Sequence, residues 1–296
     1  MGSSGSPYPP QKGVVIYAER CRGAPLVERD PSLCRSLHTM AQEGCSGLVY
    51  LPASDSAEQE YNTVWDLVQL FGVAPHFVDD TNKGKFQVKE DGEVQGLPSA
   101  SASSSILQQR YGRRMRPTFF SESTAATTVL ASIGATTVPA SPTSTEQLAE
   151  QVCKCLEGSP CDLAFVHMRS TPGMEPIDAL VSVLLPKNYY LVVVLREAEG
   201  ETEEKDEENN IRSFSSHPLR PRQSVQARSD EKKEEELGRG DALLATYYQQ
   251  GVTRRDHCSR FGRLECERHG GNATIHAQNF MAEVAYKLGM TPKYGA

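Results

Sequence analysis

Four apolar runs of strand length limit most strongly what this chain can fold into: residues 13–18 (GVVIYA), 47–51 (GLVYL), 163–167 (LAFVH) and 189–195 (YYLVVVL). The first is β-branched and follows a Pro-rich lead, so it reads as a buried strand. Between the first two, residues 31–44 place Leu33, Leu37, Met40 and Ala41 at helical spacing and end on Gly44, a stop signal. Strand, helix and strand in succession predict a βαβ start, and therefore an α/β fold with a mostly parallel central sheet flanked by helices.

The pattern continues along the chain. Residues 61–71 set Val64, Leu67, Val68 and Phe71 on one helical face before Gly72. Residues 117–121 read as a strand, 124–133 and 145–156 as helices, and 174–185 as the crossover helix between the last two apolar runs. Residues 241–250 and 277–288 read as closing helices. Residues 83–105 lose periodicity and become rich in Gly, Ser and Ala, as a linker or a shortened insertion would. Residues 197–210 are almost all acidic and 230–236 are highly charged, so the stretch near 197–239 is expected to be an exposed charged loop. The domain organisation that follows is a disordered tail over 1–12 and a single α/β domain over 13–296.

A net charge of −7 over 296 residues offers no basic face for phosphate backbones, which argues against nucleic-acid binding. No apolar run approaches the roughly 20 residues of a membrane span. The N-terminus has neither the charged nor the apolar region of a secretory signal. It fits the M-G-x-x-x-S pattern of N-myristoylation through Gly2 and Ser6, but Pro7 disfavours the modification and a Gly/Ser-rich tail gives the same letters. The eight cysteines (Cys21, Cys34, Cys45, Cys153, Cys155, Cys161, Cys258 and Cys266) contain no C-x-x-C pair, so structural zinc is not expected. Reduced thiols in a cytoplasmic protein are the expectation, with the sequon Asn272-Ala273-Thr274 unused and Arg239-Gly240-Asp241 a chance string in a polar loop.

Three segments together carry a family resemblance. The stretch VVIYAERCRGAPL through SLHTMAQEGCSGL, the stretch RYGRRMRPTFFSESTAATTVLASIGATTV followed by CDLAFVHMRST, and the C-terminal FGRLECERHGGNATIHAQNFMAEVAYKLGMTPKYGA occur in order. This set resembles the archaeal-type, cofactor-independent phosphoglycerate mutases of the alkaline-phosphatase superfamily, covering about half the chain, with the substrate-side cap domain missing. The resemblance implies an alkaline-phosphatase-like core and two divalent metals held by Asp and His, which stabilise the attacking and leaving oxygens of an in-line displacement.

Most of that ligand set is absent. Glu19 stands where the family's first metal-binding Asp would be, one methylene longer. Pro172 replaces an Asp, and Arg196 and Glu197 occupy the place of an Asp-His pair. His217 corresponds to a ligand, while the neighbouring Asp has become Arg220. Ser54 and Ser56 lie in the region of the nucleophile without a motif, so no catalytic residue is assigned. Glu19 and His217 are thus the metal-site candidates, for manganese or zinc at a vestigial site, with a capping carboxylate and a solvent-exposed histidine as the alternatives. His167 is expected to be a hydrogen-bonded core residue, and His269-Gly270-Gly271 a turn that lets a helix pack closely. Arg196, Arg220 and Arg222 either line the vacated pocket, where fixed positive charge could hold a phosphate or carboxylate, or pair with the acidic run at 199–208.

These observations lead to a non-catalytic pseudoenzyme without a cofactor that binds protein partners or serves as a scaffold in the cytoplasm. A divergent metal-dependent phosphatase or phosphomutase and a phosphometabolite sensor are the alternatives.

Overall fold

Strand β1 (Gly13–Cys21) is buried along nearly its whole length, and its side chains alternate between two separate cores. Val15 and Tyr17 enter one cluster, and Val14, Ile16 and Ala18 the other. That is the period-two geometry of a strand covered on both faces. The computed structural model describes residues 12–21, 24, 27, 30, 32–52, 59–78, 86–89, 93–97, 105–112, 115–139, 144–158, 161–169, 173–197 and 240–292. The acidic run, Ser54, Ser56, Pro172, His217, Arg220, Arg222, the N-terminal tail and the terminal KYGA lie outside these residues.

The other strands are β2 (Cys45–Pro52), β3 (Gln87–Val88), β4 (Val94–Gln95), β5 (Pro117–Ser121), β6 (Thr136–Pro139), β7 (Leu163–Met168), β8 (Tyr190–Glu197), β9 (Gly240–Tyr248) and β10 (Thr274–His276). The helices are α1 (Arg35–Glu43), α2 (Gln59–Leu70), α3 (Ile106–Tyr111), α4 (Thr124–Ser132), α5 (Thr145–Glu157), α6 (Glu175–Leu184), α7 (Arg263–His269) and α8 (Ala277–Lys287). An eight-stranded sheet runs in the order β10-β2-β9-β8-β1-β7-β5-β6. β9 pairs antiparallel with both β2 and β8, while every other pairing is parallel, so β9 alone runs against the rest. The mostly parallel α/β architecture expected from the apolar runs is present.

Helices α2, α3, α4 and α8 supply the first core, with Phe71, Phe119, Phe165 and Phe280 at its centre. Helices α1, α5, α6 and α7 supply the second, through Leu37, Met40, Val152, Leu180 and Cys266. Where the sequence shows an insertion without periodicity, the β3–β4 pair buries Phe86 against Tyr61, with ring centroids 4.7 Å apart. Among the described residues no helix is long and apolar enough to cross a membrane.

Two expectations need correction. Residues 241–250 form no helix: they are most of β9, because Leu243, Leu244 and Ala245 are all buried between two neighbouring strands and the segment ends in β-favouring Thr246, Tyr247 and Tyr248. Gly240 and Asp241 therefore open a strand and do not sit in a polar loop. The Gly270 turn does bring α7 close to the sheet. A Cβ on Gly270 would lie 2.7 Å from the Ser46 carbonyl oxygen of β2 and 2.4 Å from that of Cys266.

Candidate functional site: a closed polar network at the carboxyl ends of the strands

Open parallel sheets bind ligands beyond the carboxyl ends of their strands. Period-two alternation decides which residues gather there. Glu19 follows Val15 and Tyr17, His167 follows Phe165, Ser121 follows Phe119 and Arg196 follows Val194, so all four fall on the face of the sheet covered by α2. Helix α2 answers with Glu60, Thr63 and Asp66, which share one stripe at spacings of three residues.

The side chains that meet there satisfy one another. His167 Nε2 lies 3.1 Å from Glu19 Oε1, and the Thr63 hydroxyl donates to Glu19 Oε2 at 2.9 Å. Both carboxylate oxygens of Glu19 are thus occupied, and the residue is only 3% exposed. His167 Nδ1 lies 2.7 Å from Ser121 Oγ, which also accepts the Ser123 backbone N–H at 3.0 Å. Which of the two donates between Ser121 and His167 Nδ1 depends on the imidazole tautomer. The imidazole is stacked between Tyr17 (5.7 Å) and Phe119 (6.1 Å) on the flanking strands.

Around this chain lie two further pairs. Tyr17 Oη donates to Asp66 Oδ2 at 3.1 Å, and the Arg196 guanidinium binds the same carboxylate. Ser123 Oγ donates to Glu60 Oε1 at 2.6 Å, and Arg169 binds Glu60 from the end of β7. At the end of β8, Glu197 pairs with Arg263 of α7. Burial alone would raise the pKa of Glu19. The hydrogen bond and charge of His167, the Thr63 hydroxyl and the Arg196 charge outweigh it and hold the carboxyl below its usual range. Burial, together with the Asp66 and Glu19 charges, pushes the Tyr17 phenol far up, so it remains a neutral donor. Directly after Glu19, Arg20 takes a left-handed backbone (φ 50°), and the β1–β8 register shifts between Ala18 and Cys21. Such a conformation costs a bulky residue about 1 kcal/mol or more.

The order serine, histidine, carboxylate has the form of a nucleophile, base and orienting acid. Ser121 is 1% exposed and His167 2%, however, so neither presents a reactive atom to a substrate. Nor do the donors fit a two-metal centre. Each Glu19 oxygen already accepts a hydrogen bond in a buried setting, and the strand end that would carry the next ligand pair bears the Arg196 guanidinium. Among the described residues no three His, Cys, Asp or Glu side chains group as a metal site. Of the residues singled out in the sequence, Glu19 and Arg196 share this network; Arg196 pairs with Asp66 of α2. His167 is the buried, hydrogen-bonded residue its strand-end position implied. Asp66, Thr63, Glu60 and Ser121 were not singled out. For Glu60, Thr63 and Asp66 the signal is the polar i, i+3, i+6 stripe of α2, which is visible once the apolar face of that helix is set aside; Ser121, at the end of β5, carries no such pattern.

This architecture is the alkaline-phosphatase-like α/β fold. The PH0037 protein of Pyrococcus horikoshii shares it at 12% identity, over 97% of this chain and 99% of that one, with a TM-score of 0.55. The cofactor-independent phosphoglycerate mutase of Thermoplasma acidophilum is 11% identical over 92% of this chain and 98% of its own, with a TM-score of 0.49. Murine ectonucleotide pyrophosphatase/phosphodiesterase 5 is 11% identical over 97% and 98%, with a TM-score of 0.47. At 12% identity the likeness to the Pyrococcus protein is one of fold. No family model and no curated protein matches the chain in sequence.

Proposed function

We propose that this chain is a non-catalytic pseudoenzyme on an alkaline-phosphatase-like scaffold, acting in the cytoplasm through protein interactions. One observation carries the reading: both carboxylate oxygens of Glu19, at the position of the first metal ligand, are held by His167 and Thr63 in a buried network. Metal affinity comes from several ligands acting at once, and here the carboxylates at the strand ends are already spent on arginine, histidine and hydroxyl donors. Arg196 supplies fixed positive charge where divalent ions would otherwise sit. Because it already pairs with Asp66, it favours the scaffold reading over an anion sensor. The charged stretch near 197–239 is the segment proposed to engage a partner, since such sequences order on contact.

Elemental analysis of the full chain, purified in the presence of manganese or zinc, tests this directly. The expected result is far less than one metal per chain, unchanged in Glu19→Ala and His217→Ala. Stoichiometric metal that is lost in either variant would overturn the proposal and restore a divergent phosphatase or phosphomutase. The interaction half is tested by deleting residues 198–239: a specific partner that co-purifies with the full chain should be lost while the melting temperature holds.

A further inference from the structure

A buried histidine outside the strand-end network holds a loop in place. Residues 249–262, between β9 and α7, form neither helix nor strand, and their far end rests on α1. The Phe261 backbone N–H donates to His38 Nδ1 at 2.9 Å, Gln42 Nε2 donates to the Ser259 carbonyl at 2.6 Å, and Arg255 pairs with Glu43. Phe261 and Cys258 are buried in the second core, which Leu37 and Met40 of α1 share. Asp256 ties the start of the loop to β2 separately, accepting the Ser46 N–H at 2.6 Å.

A backbone amide can only donate, so the direction of the bond between Phe261 and His38 is fixed. Nδ1 accepts, and the imidazole is the neutral tautomer with its proton on Nε2. His38 is 4% exposed. A proton on Nδ1 would face the N–H of Phe261, turning a hydrogen bond into two opposed donors where no water can separate them. Of the three contacts with α1, the bond from Gln42 to Ser259 does not titrate, and the pair of Arg255 and Glu43 keeps both charges down to the carboxylate range. His38 is therefore the contact that responds to mild acid.

We infer that His38 is an acid-sensitive clasp: neutral, it holds residues 257–262 on α1; protonated, it releases them and opens the rim of the second core at Phe261 and Cys258. The charged groups facing the imidazole are Asp30 ahead of α1, Asp178 of α6 and Arg260 of the loop itself. Asp178 is held in place by accepting the Leu37 N–H at 2.8 Å. Burial lowers the pKa of His38 most, and the Arg260 charge adds to it. The Val27 and Asp30 carbonyls and the Asp178 charge do not offset them, so the folded value lies below the ordinary 6.5. The clasp is thus fully closed above pH 6.5 and is lost as pH falls through the lowered value.

Amide hydrogen exchange of the full chain tests this, with wild type and His38→Gln compared at matched pH so that the intrinsic chemistry of exchange cancels. The glutamine oxygen can accept from Phe261 but does not titrate. Between pH 7.5 and pH 5.5 the ratio of wild-type to variant exchange at residues 257–262 should rise several-fold. Its ceiling is about tenfold, set by a released histidine with the ordinary pKa of 6.5. Amides of β1 should show no such rise. A flat ratio, or a rise that β1 shares, would overturn the inference. Wild type alone supplies a second reading by NMR, independent of whether the variant folds: the His38 imidazole and the Phe261 amide should titrate together with a midpoint below 6.5. A His38 midpoint at or above 6.5, or a Phe261 amide that does not follow it, would equally sink the clasp.

Discussion

The two ends of the central strands are built from the same kinds of groups to opposite effect. At the carboxyl ends, Glu19, His167 and Ser121 are almost fully buried, and each polar atom described above has a protein partner. At the amino ends, the buried Asp162 carboxylate pairs with Lys12 and Arg116, whose side chains are 30% and 45% exposed to water. In this sheet class the carboxyl end is where ligands are usually held. Here that end is a fastening that joins β1, β5 and β7 to α2. Buried polar residues can hold such a strand end together where they satisfy each other, because leaving any one of them alone is costly.

The sharpest way to break this comparison is to remove Glu19. Glu19→Ala leaves His167 and Thr63 buried without an acceptor and should destabilise the fold by about 3 kcal/mol or more in urea denaturation. Arg116→Ala at the amino end removes a partner that is 45% exposed and should cost about 1 kcal/mol or less. Equal losses from the two would show that the carboxyl end is no more a fastening than any surface ion pair.

Acid sharpens the same contrast. The folded-state pKa of Glu19 lies below its ordinary value of 4.5, so its contribution is fully present above that value and is lost as pH falls through the lowered one. Asp30, Glu146, Glu150 and Glu265 are lowered too, so the wild-type melting curve sums several groups. The difference between wild type and Glu19→Gln isolates the residue. That difference should be largest near neutral pH and shrink below pH 4.5; a constant gap from pH 7 to pH 3 would mean that the Glu19 charge contributes nothing.

Much of the fold was legible because its signals are local. The apolar runs of β1, β2, β7 and β8 and the faces of α1, α2 and α5 needed no tertiary information. β9 was misread because its buried residues include consecutive leucines, and an apolar run closed in by a neighbour on each side has no period to separate strand from helix. The site was legible only in part. Glu19 and Arg196 stood out by their positions at strand ends, but their partners Thr63 and Asp66 lie on a helix more than 40 residues from Glu19 and 130 from Arg196. Which carboxylate an arginine takes depends on how α2 docks on the sheet, and no local pattern states that.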